Sequence, residues 1–117
     1  MGFHKDWLGI TQNKGLITVS LTIPLNCSEK KFQSLVVEHA KALGWLCYHT
    51  YDSRRSAAGF PDLVMVRGKR TLFVELKTET GTWEPEQPIW YEALKVAEQE
   101  VYVLRPRDQA TIVAMLK

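Results

Sequence analysis

Three charged residues, Asp62, Glu75 and Lys77, stand where two apolar segments begin or end. Glu75 and Lys77 are two residues apart in a predicted strand, so their side chains point to the same face. Asp62 begins the preceding predicted strand, and a short turn at Gly68 and Lys69 joins the two strands. Because the start of one strand of a hairpin lies beside the end of the other, we expect the three side chains to converge.

This combination of residue types favours a site for a divalent cation. Charges beside strands that are otherwise apolar must be paired or bind a metal. Mg²⁺ is commonly held by one or two carboxylates, and water and phosphate oxygens complete its shell. A bound metal ion lowers the pKa of water and polarises a phosphoryl oxygen, and a nearby lysine stabilises developing charge. The alternative from the same spacing is a salt-bridge cluster without chemistry.

The elements that must position these residues follow from hydrophobic periodicity and turn residues. Strict alternation predicts a strand over residues 15–23. A helix starts after a cap at Asn26 or Ser28 and ends before Gly44. Pro85 fits the first turn of a second helix that ends near Glu98. The remaining predicted elements are strands at 45–51, 62–67, 71–77 and 101–104 and a terminal helix at 108–116. The order predicts an α/β fold in which helices cover a central mixed sheet.

Composition bounds the class of protein. The 117 residues suffice for a single domain, residues 1–117, and 45% apolar and 24% charged residues are typical of a globular protein. The sequence contains no apolar run long enough to span a membrane and no signal-peptide pattern, so we expect no membrane partner. Two cysteines, Cys27 and Cys47, form neither a four-ligand zinc site nor a disulfide framework, and favour a cytoplasmic protein with reduced thiols.

Charge is distributed unevenly along the chain. The net charge is +2, but residues 53–77 carry six basic residues against two acids, and residues 78–100 carry six glutamates against Lys95. A basic stretch of this kind could contact a polyanion. Ordinary surface scatter explains the same pattern equally well.

The motifs around these charges resemble a known nuclease signature. Pro61-Asp62 followed by Glu75-Leu76-Lys77 resembles the PD-(D/E)xK pattern, and the element order resembles the restriction-endonuclease-like αβββαβ core of that superfamily. More narrowly, the chain resembles the small stand-alone members of the VRR-NUC family found in phages and bacteria. The matching pieces are Ser28-Glu29, Gln33, Gly44-Trp45, residues 59–63, residues 73–77, Gly81 and residues 85–87. The resemblance covers residues 28–105 and leaves residues 1–27 as an N-terminal extension.

The resemblance implies a role for each matched residue. Asp62 and Glu75 would bind Mg²⁺, for which Mn²⁺ could substitute, with the backbone carbonyl of Leu76 as a further ligand. Lys77 would activate or position the attacking water. Glu29 would complete the site or help to place a second metal ion. The alternative for Glu29 is a carboxylate stabilised by the helix dipole, worth about 0.3–1 kcal/mol.

Other residues are predicted to contact DNA. Gln87 matches a glutamine of the family and would reach the site or the DNA backbone; its alternative is a capping role. Arg54 and Arg55, in the loop before Asp62, would clamp phosphate, against the alternative of a solvated loop. Lys69 and Arg70 at the hairpin turn would contact the DNA backbone, or serve only solubility.

One residue departs from the family pattern. The family often has serine before Pro-Glu-Gln, where this chain has Glu84. This change weakens the helix cap and adds negative charge near the site, but it removes no catalytic group.

These inferences predict a metal-dependent, structure-specific DNA endonuclease, with four-way (Holliday) junctions as one candidate substrate. A resolvase makes two symmetrical cuts, so a C2 homodimer is expected, with the strand at residues 17–23 as the candidate contact. The alternatives are a catalytically silent nucleic-acid-binding module, a monomeric flap or nicking nuclease, and a protein-interaction domain. We expect the protein to act in the cytoplasm of a bacterial or phage-infected cell.

Overall fold

A computed structural model describes residues 20–50 and 57–117 of the chain. The described elements follow the order that the sequence predicts, and they confirm the α/β class. They are α1 (Glu29–Ala42), β1 (Leu46–His49), β2 (Leu63–Arg67), β3 (Arg70–Leu76), α2 (Gln87–Val96), β4 (Glu100–Leu104), a 3-10 turn (Pro106–Asp108) and α3 (Gln109–Leu116). Within these residues, no helix is long and apolar enough to cross a membrane.

The four strands form one mixed sheet in the order β1-β2-β3-β4. The first three strands are antiparallel, and β3 pairs in parallel with β4. In the hairpin, Leu63 lies opposite Val74, and Gly68 takes a φ of 60° at the turn. This register places the start of β2 beside the end of β3, where Asp62 and Glu75 lie.

Helix α1 covers one face of the sheet. Ser28 is its N-cap, and its Oγ accepts a hydrogen bond from the Lys31 amide at 3.1 Å. Phe32 and Val36 are fully buried in the core, as the helical spacing predicts. Gly44 follows the C-cap with a φ of 91°, a conformation that glycine adopts without steric cost.

The predicted N-terminal strand falls only partly within the described residues. Residues 15–19 lie outside them, and residues 20–23 pair with no strand of the four-stranded sheet. Leu21 and Ile23 are buried in the hydrophobic core, and the Ile23 amide donates a hydrogen bond to the Gln109 Oε1 at 2.8 Å. The expectation that these two residues offer an exposed dimer contact is therefore wrong, because α3 supplies the partner that alternation alone could not identify.

Element boundaries differ from prediction at α2 and β1. Helix α2 begins at Gln87, with Pro88 rather than Pro85 in its first turn. A start at Pro85 would place Pro88 where the helix needs an amide donor, which proline lacks. Strand β1 covers Leu46–His49 of the predicted residues 45–51, of which residue 51 lies outside the described part of the chain. Trp45 precedes the strand, buries its indole in the core and donates from Nε1 to the Leu116 carbonyl at 2.9 Å.

Candidate functional site

Two hydrogen bonds cross the hairpin at Asp62, one to the Glu75 side chain and one from the Leu76 backbone. The Asp62 amide donates to Glu75 Oε1 at 3.2 Å, and the Leu76 amide donates to Asp62 Oδ2 at 2.9 Å. Each carboxylate is thus anchored to the backbone beside the other carboxylate. Glu75 is only 5% exposed. The convergence that the spacing predicts is present in the structure.

Lys77 and Gln87 complete this group, which we call the Glu75 cluster (Asp62, Glu75, Lys77 and Gln87). Lys77 Nζ lies 3.4 Å from Glu75 Oε2 and donates to Gln87 Oε1 at 2.6 Å. Gln87 Nε2 in turn donates to Glu75 Oε2 at 2.5 Å. The amide of Gln87 therefore bridges the lysine and the carboxylate, which fixes both side chains.

The backbone of the segment before α2 also supports the cluster. Lys77 Nζ donates to the Thr82 carbonyl at 2.9 Å, and the Glu84 amide donates to Gln87 Oε1 at 2.7 Å. The sequence did not point to Thr82, because it accepts the hydrogen bond through its backbone carbonyl. The side-chain pattern of a sequence does not reveal such a backbone acceptor. Gln87 thus contacts Lys77 and Glu75 and also accepts a hydrogen bond from the segment before its helix, and its functional role stays a prediction.

The cluster contains two carboxyl groups and one lysine. Burial raises the pKa of Glu75 to about 8; the nearby charge of Asp62 adds to this rise, and Lys77 opposes it. Burial also raises the pKa of Asp62, although the hydrogen bond from Leu76 opposes that shift. A buried carboxylate beside a half-buried one, with the pKa of each raised, is an arrangement that a cation would relieve.

Asp62 opens onto a cavity of about 730 Å³, which we call the Asp62 cavity. Glu29 and Gln33 of α1 line it, together with Gln87 at the start of α2. Burial raises the pKa of Glu29, and the charge of Asp62 raises it further, against the opposing effect of Lys77. Glu29 therefore shares both a cavity and an electrostatic field with the Glu75 cluster.

The donor set for a metal ion consists of two anchored carboxylates. In the described part of the chain, no three His, Cys, Asp or Glu side chains are grouped closely enough to hold a metal ion, and Glu29 as a further ligand stays a prediction. Two hard oxygen donors beside an open cavity suit Mg²⁺, which keeps several waters and takes one or two carboxylates. They do not suit a closed structural zinc site.

The residues predicted to contact DNA are placed differently. Arg54 and Arg55 lie outside the described residues. Lys69 is exposed at the hairpin turn, whereas Arg70 pairs with Glu100 at 2.8 Å and donates to the Met115 carbonyl at 3.0 Å. The structure thus gives Arg70 a role in holding the fold together, and the DNA contacts of all four basic residues stay predictions.

The αβββαβ order and the carboxylate–lysine cluster define a nuclease-type domain of the PD-(D/E)xK superfamily. The chain belongs to the VRR-NUC family, whose domain matches residues 7–108. A solved structure described as a VRR_NUC domain is similar with a TM-score of 0.62 and 26% identity, over 74% of this chain and 94% of that chain.

A second solved structure, described as a VRR_NUC domain protein, shares the fold with a TM-score of 0.61. Its identity is 21%, over 77% of this chain and 87% of that chain. No curated protein matched the chain.

Proposed function

We propose that this protein is a divalent-metal-dependent DNA endonuclease that hydrolyses phosphodiester bonds. The observation that carries the proposal is the pair of hydrogen bonds that anchor the Glu75 carboxylate to the Asp62 amide and the Asp62 carboxylate to the Leu76 amide. Lys77 lies 3.4 Å from Glu75, and Asp62 lines an open cavity. Paired carboxylates and a lysine supply the groups that metal-assisted phosphodiester hydrolysis requires.

Each residue of the cluster has a distinct part in this proposal. Asp62 and Glu75 would hold Mg²⁺ or Mn²⁺, with the Leu76 carbonyl and Glu29 as further candidate ligands. When bound, the ion lowers the pKa of a water molecule and polarises a phosphoryl oxygen. Lys77 orients the attacking water or stabilises the developing negative charge. Gln87 holds the side chains of Lys77 and Glu75 in position through its two hydrogen bonds.

The finer proposal concerns the DNA structure and the assembly. Branched DNA, and a four-way junction in particular, is the proposed substrate. A junction resolvase cuts two strands symmetrically, and one site of this size makes one cut, so we propose a C2 homodimer. The free, half-buried thiols of Cys27 and Cys47 are compatible with a reducing cytoplasm as the place of action.

The test is cleavage of labelled four-way junction, flap and linear duplex in Mg²⁺ or Mn²⁺, with EDTA as the metal-free control. Asp62→Asn and Lys77→Met serve as the matched inactive variants, since both keep the side-chain volume. Paired symmetrical cuts in the junction that both variants abolish support a dimeric resolvase, and sedimentation of the wild type should then give a dimer.

Other outcomes separate the alternatives. Cleavage of flap or linear DNA without cleavage of the junction would support the nuclease proposal and contradict the resolvase proposal. Binding of DNA without cleavage of any substrate in either metal would overturn the enzyme proposal in favour of a silent binding module. In that case, the salt dependence of binding still distinguishes a DNA-binding module from a protein-interaction domain, because phosphate contacts give a steep slope.

A further inference from the structure

The charged side chains among the described residues that line the Asp62 cavity are mostly acidic and repel DNA. Four carboxylates line it, from Glu29, Asp62, Glu84 and Glu86. Lys30 is the only basic residue among its described lining residues. Each phosphodiester group carries a negative charge, so a strand that enters this cavity needs positive charge along its path as well as at the bond that is cut.

Lys77 cannot provide this charge away from the cluster. It is 8% exposed and its ammonium group is already bonded to the Thr82 carbonyl and Gln87, beside Glu75. A metal ion on Asp62 and Glu75 would neutralise charge only at the phosphate next to it. Neither Lys77 nor the metal ion would therefore contact a neighbouring phosphate in the same cavity.

Lys30 is placed to fill this need. It is exposed in the first turn of α1, directly after Glu29, and no ion pair joins it to a carboxylate within the described part of the chain. Gln33, one turn further along the helix, lines the same cavity and adds an amide donor. Lys31, the next residue, is equally exposed and belongs to the same turn, but it does not line the cavity.

We infer that Lys30, supported by Gln33, forms a subsite for a backbone phosphate that flanks the cleaved one. The ligand class is a DNA phosphodiester, bound through its non-bridging oxygens. This inference rests on the proposed nuclease function, and it identifies Lys30 as a substrate-positioning residue. No pattern in the sequence singles out Lys30, because adjacent lysines at an exposed helix start are common surface residues.

The experiment compares Lys30→Ala with Lys31→Ala in the full chain, with Lys30→Arg as the conservative variant. Binding to a labelled junction and to single-stranded DNA is measured over a range of salt concentrations in EDTA, where no cleavage occurs. We expect the slope of log affinity against log salt to be about 0.7–0.9 shallower for Lys30→Ala and unchanged for Lys31→Ala. Lys30→Arg should retain the wild-type slope.

Neutral methylphosphonate groups then locate the contact. They are introduced one at a time on either side of the cleaved bond. At one position, the neutral group should weaken wild-type binding by roughly twofold to fivefold and leave Lys30→Ala unaffected. In cleavage assays, the loss in Lys30→Ala should fall on KM rather than on kcat.

Several results would overturn the subsite. Equal losses for the Lys30 and Lys31 variants would show a diffuse surface charge, and a wild-type slope for Lys30→Ala would show no phosphate contact. Equal sensitivity of the wild type and Lys30→Ala to methylphosphonates at every position would also show that Lys30 makes no specific phosphate contact. Failure of the wild type to bind or cut any DNA would instead overturn the proposed function, which is a distinguishable result.

Discussion

Glu75 shows how strongly a single residue depends on its surroundings. Its carboxylate is buried, accepts the Asp62 amide and faces Lys77 and Gln87. A carboxylate of this kind favours the protonated form until a cation arrives, because burial penalises its charge. Its titration would therefore connect the stability of the fold with binding of the proposed metal ion.

The metal-free protein should become less stable as pH rises. An unfolded glutamate titrates near pH 4.5, whereas burial raises the pKa of folded Glu75 to about 8. The folded state binds this proton more tightly than the unfolded state does. The contribution of Glu75 to the free energy of unfolding is therefore complete below pH 4.5 and is lost as the pH rises through 8. Denaturant unfolding in EDTA should show this decline, and Mg²⁺ should reverse it at pH 8. In Glu75→Gln, the decline over this range should be much smaller; an unchanged decline would contradict the assignment.

Gln87 should matter more for the reaction than for the fold. Gln87→Ala removes the hydrogen bonds that hold Lys77 and Glu75 together, while the apolar core stays intact. We expect kcat to fall by about 10- to 100-fold, as is common for residues that orient a metal site. The measurement is single-turnover cleavage at saturating Mg²⁺, with circular dichroism to verify the fold. Unchanged kcat would show that the bridge is dispensable.

At the scale of the element, the start of α2 depends on a loop that precedes β2. Gly59 has a φ of 85°, and a Cβ built on it would lie 2.4 Å from the Glu86 carbonyl carbon and 2.8 Å from the Gln87 amide nitrogen. These neighbours are backbone atoms and cannot rotate away. Gly59 therefore allows α2 to approach the cluster closely enough for Gln87 to reach it.

Replacing Gly59 should displace this helix start. Gly59→Ala is expected to destabilise the fold by about 2–4 kcal/mol and to lower cleavage, because the helix must move and the backbone is strained. Gly68→Ala is the matched control, since Gly68 also has a positive φ of 60° but has nothing within 4 Å of its added Cβ. It should cost only about 1 kcal/mol and leave cleavage near wild type. Thermal unfolding of both variants checks this, and equal losses would contradict the role of close approach.

At the scale of the whole molecule, two arginines connect the hairpin to the C-terminal helix. Arg67 donates to the Leu43 and Leu116 carbonyls, at 2.9 and 3.1 Å, and its guanidinium lies 4.5 Å from the centre of the Trp45 ring. Arg70 joins β3 to β4 through Glu100 and reaches the Met115 carbonyl of α3. The end of the hairpin distant from the site is thus bonded to β4, to α3 and to the C-cap of α1.

Arg70 and Lys69 should therefore behave differently, although the sequence suggests DNA contacts for both. Arg70→Ala is expected to destabilise the protein by about 1 kcal/mol, since the ion pair is partly exposed, and to lower Tm by several degrees. Lys69→Ala should leave Tm unchanged. Differential scanning calorimetry of the two variants is the measurement. A greater loss of stability in Lys69→Ala than in Arg70→Ala would contradict the structural role.

The sequence by itself determined the local parts of this protein. It predicted the hairpin and the meeting of Asp62 with Glu75, because a two-residue period and a short turn fix which side chains become neighbours. It also predicted α1 and its Ser28 cap, because helical periodicity and capping are properties of adjacent residues. The family signature depends on these local patterns.

Only the tertiary structure decided how distant segments meet. It brought Gln87 between Lys77 and Glu75, buried Ile23 against α3, and paired Arg70 with Glu100. Such contacts depend on the packing of whole elements, which a pattern within one segment does not specify. The catalytic roles of the cluster stay predictions, and the placement of its side chains is what makes them testable.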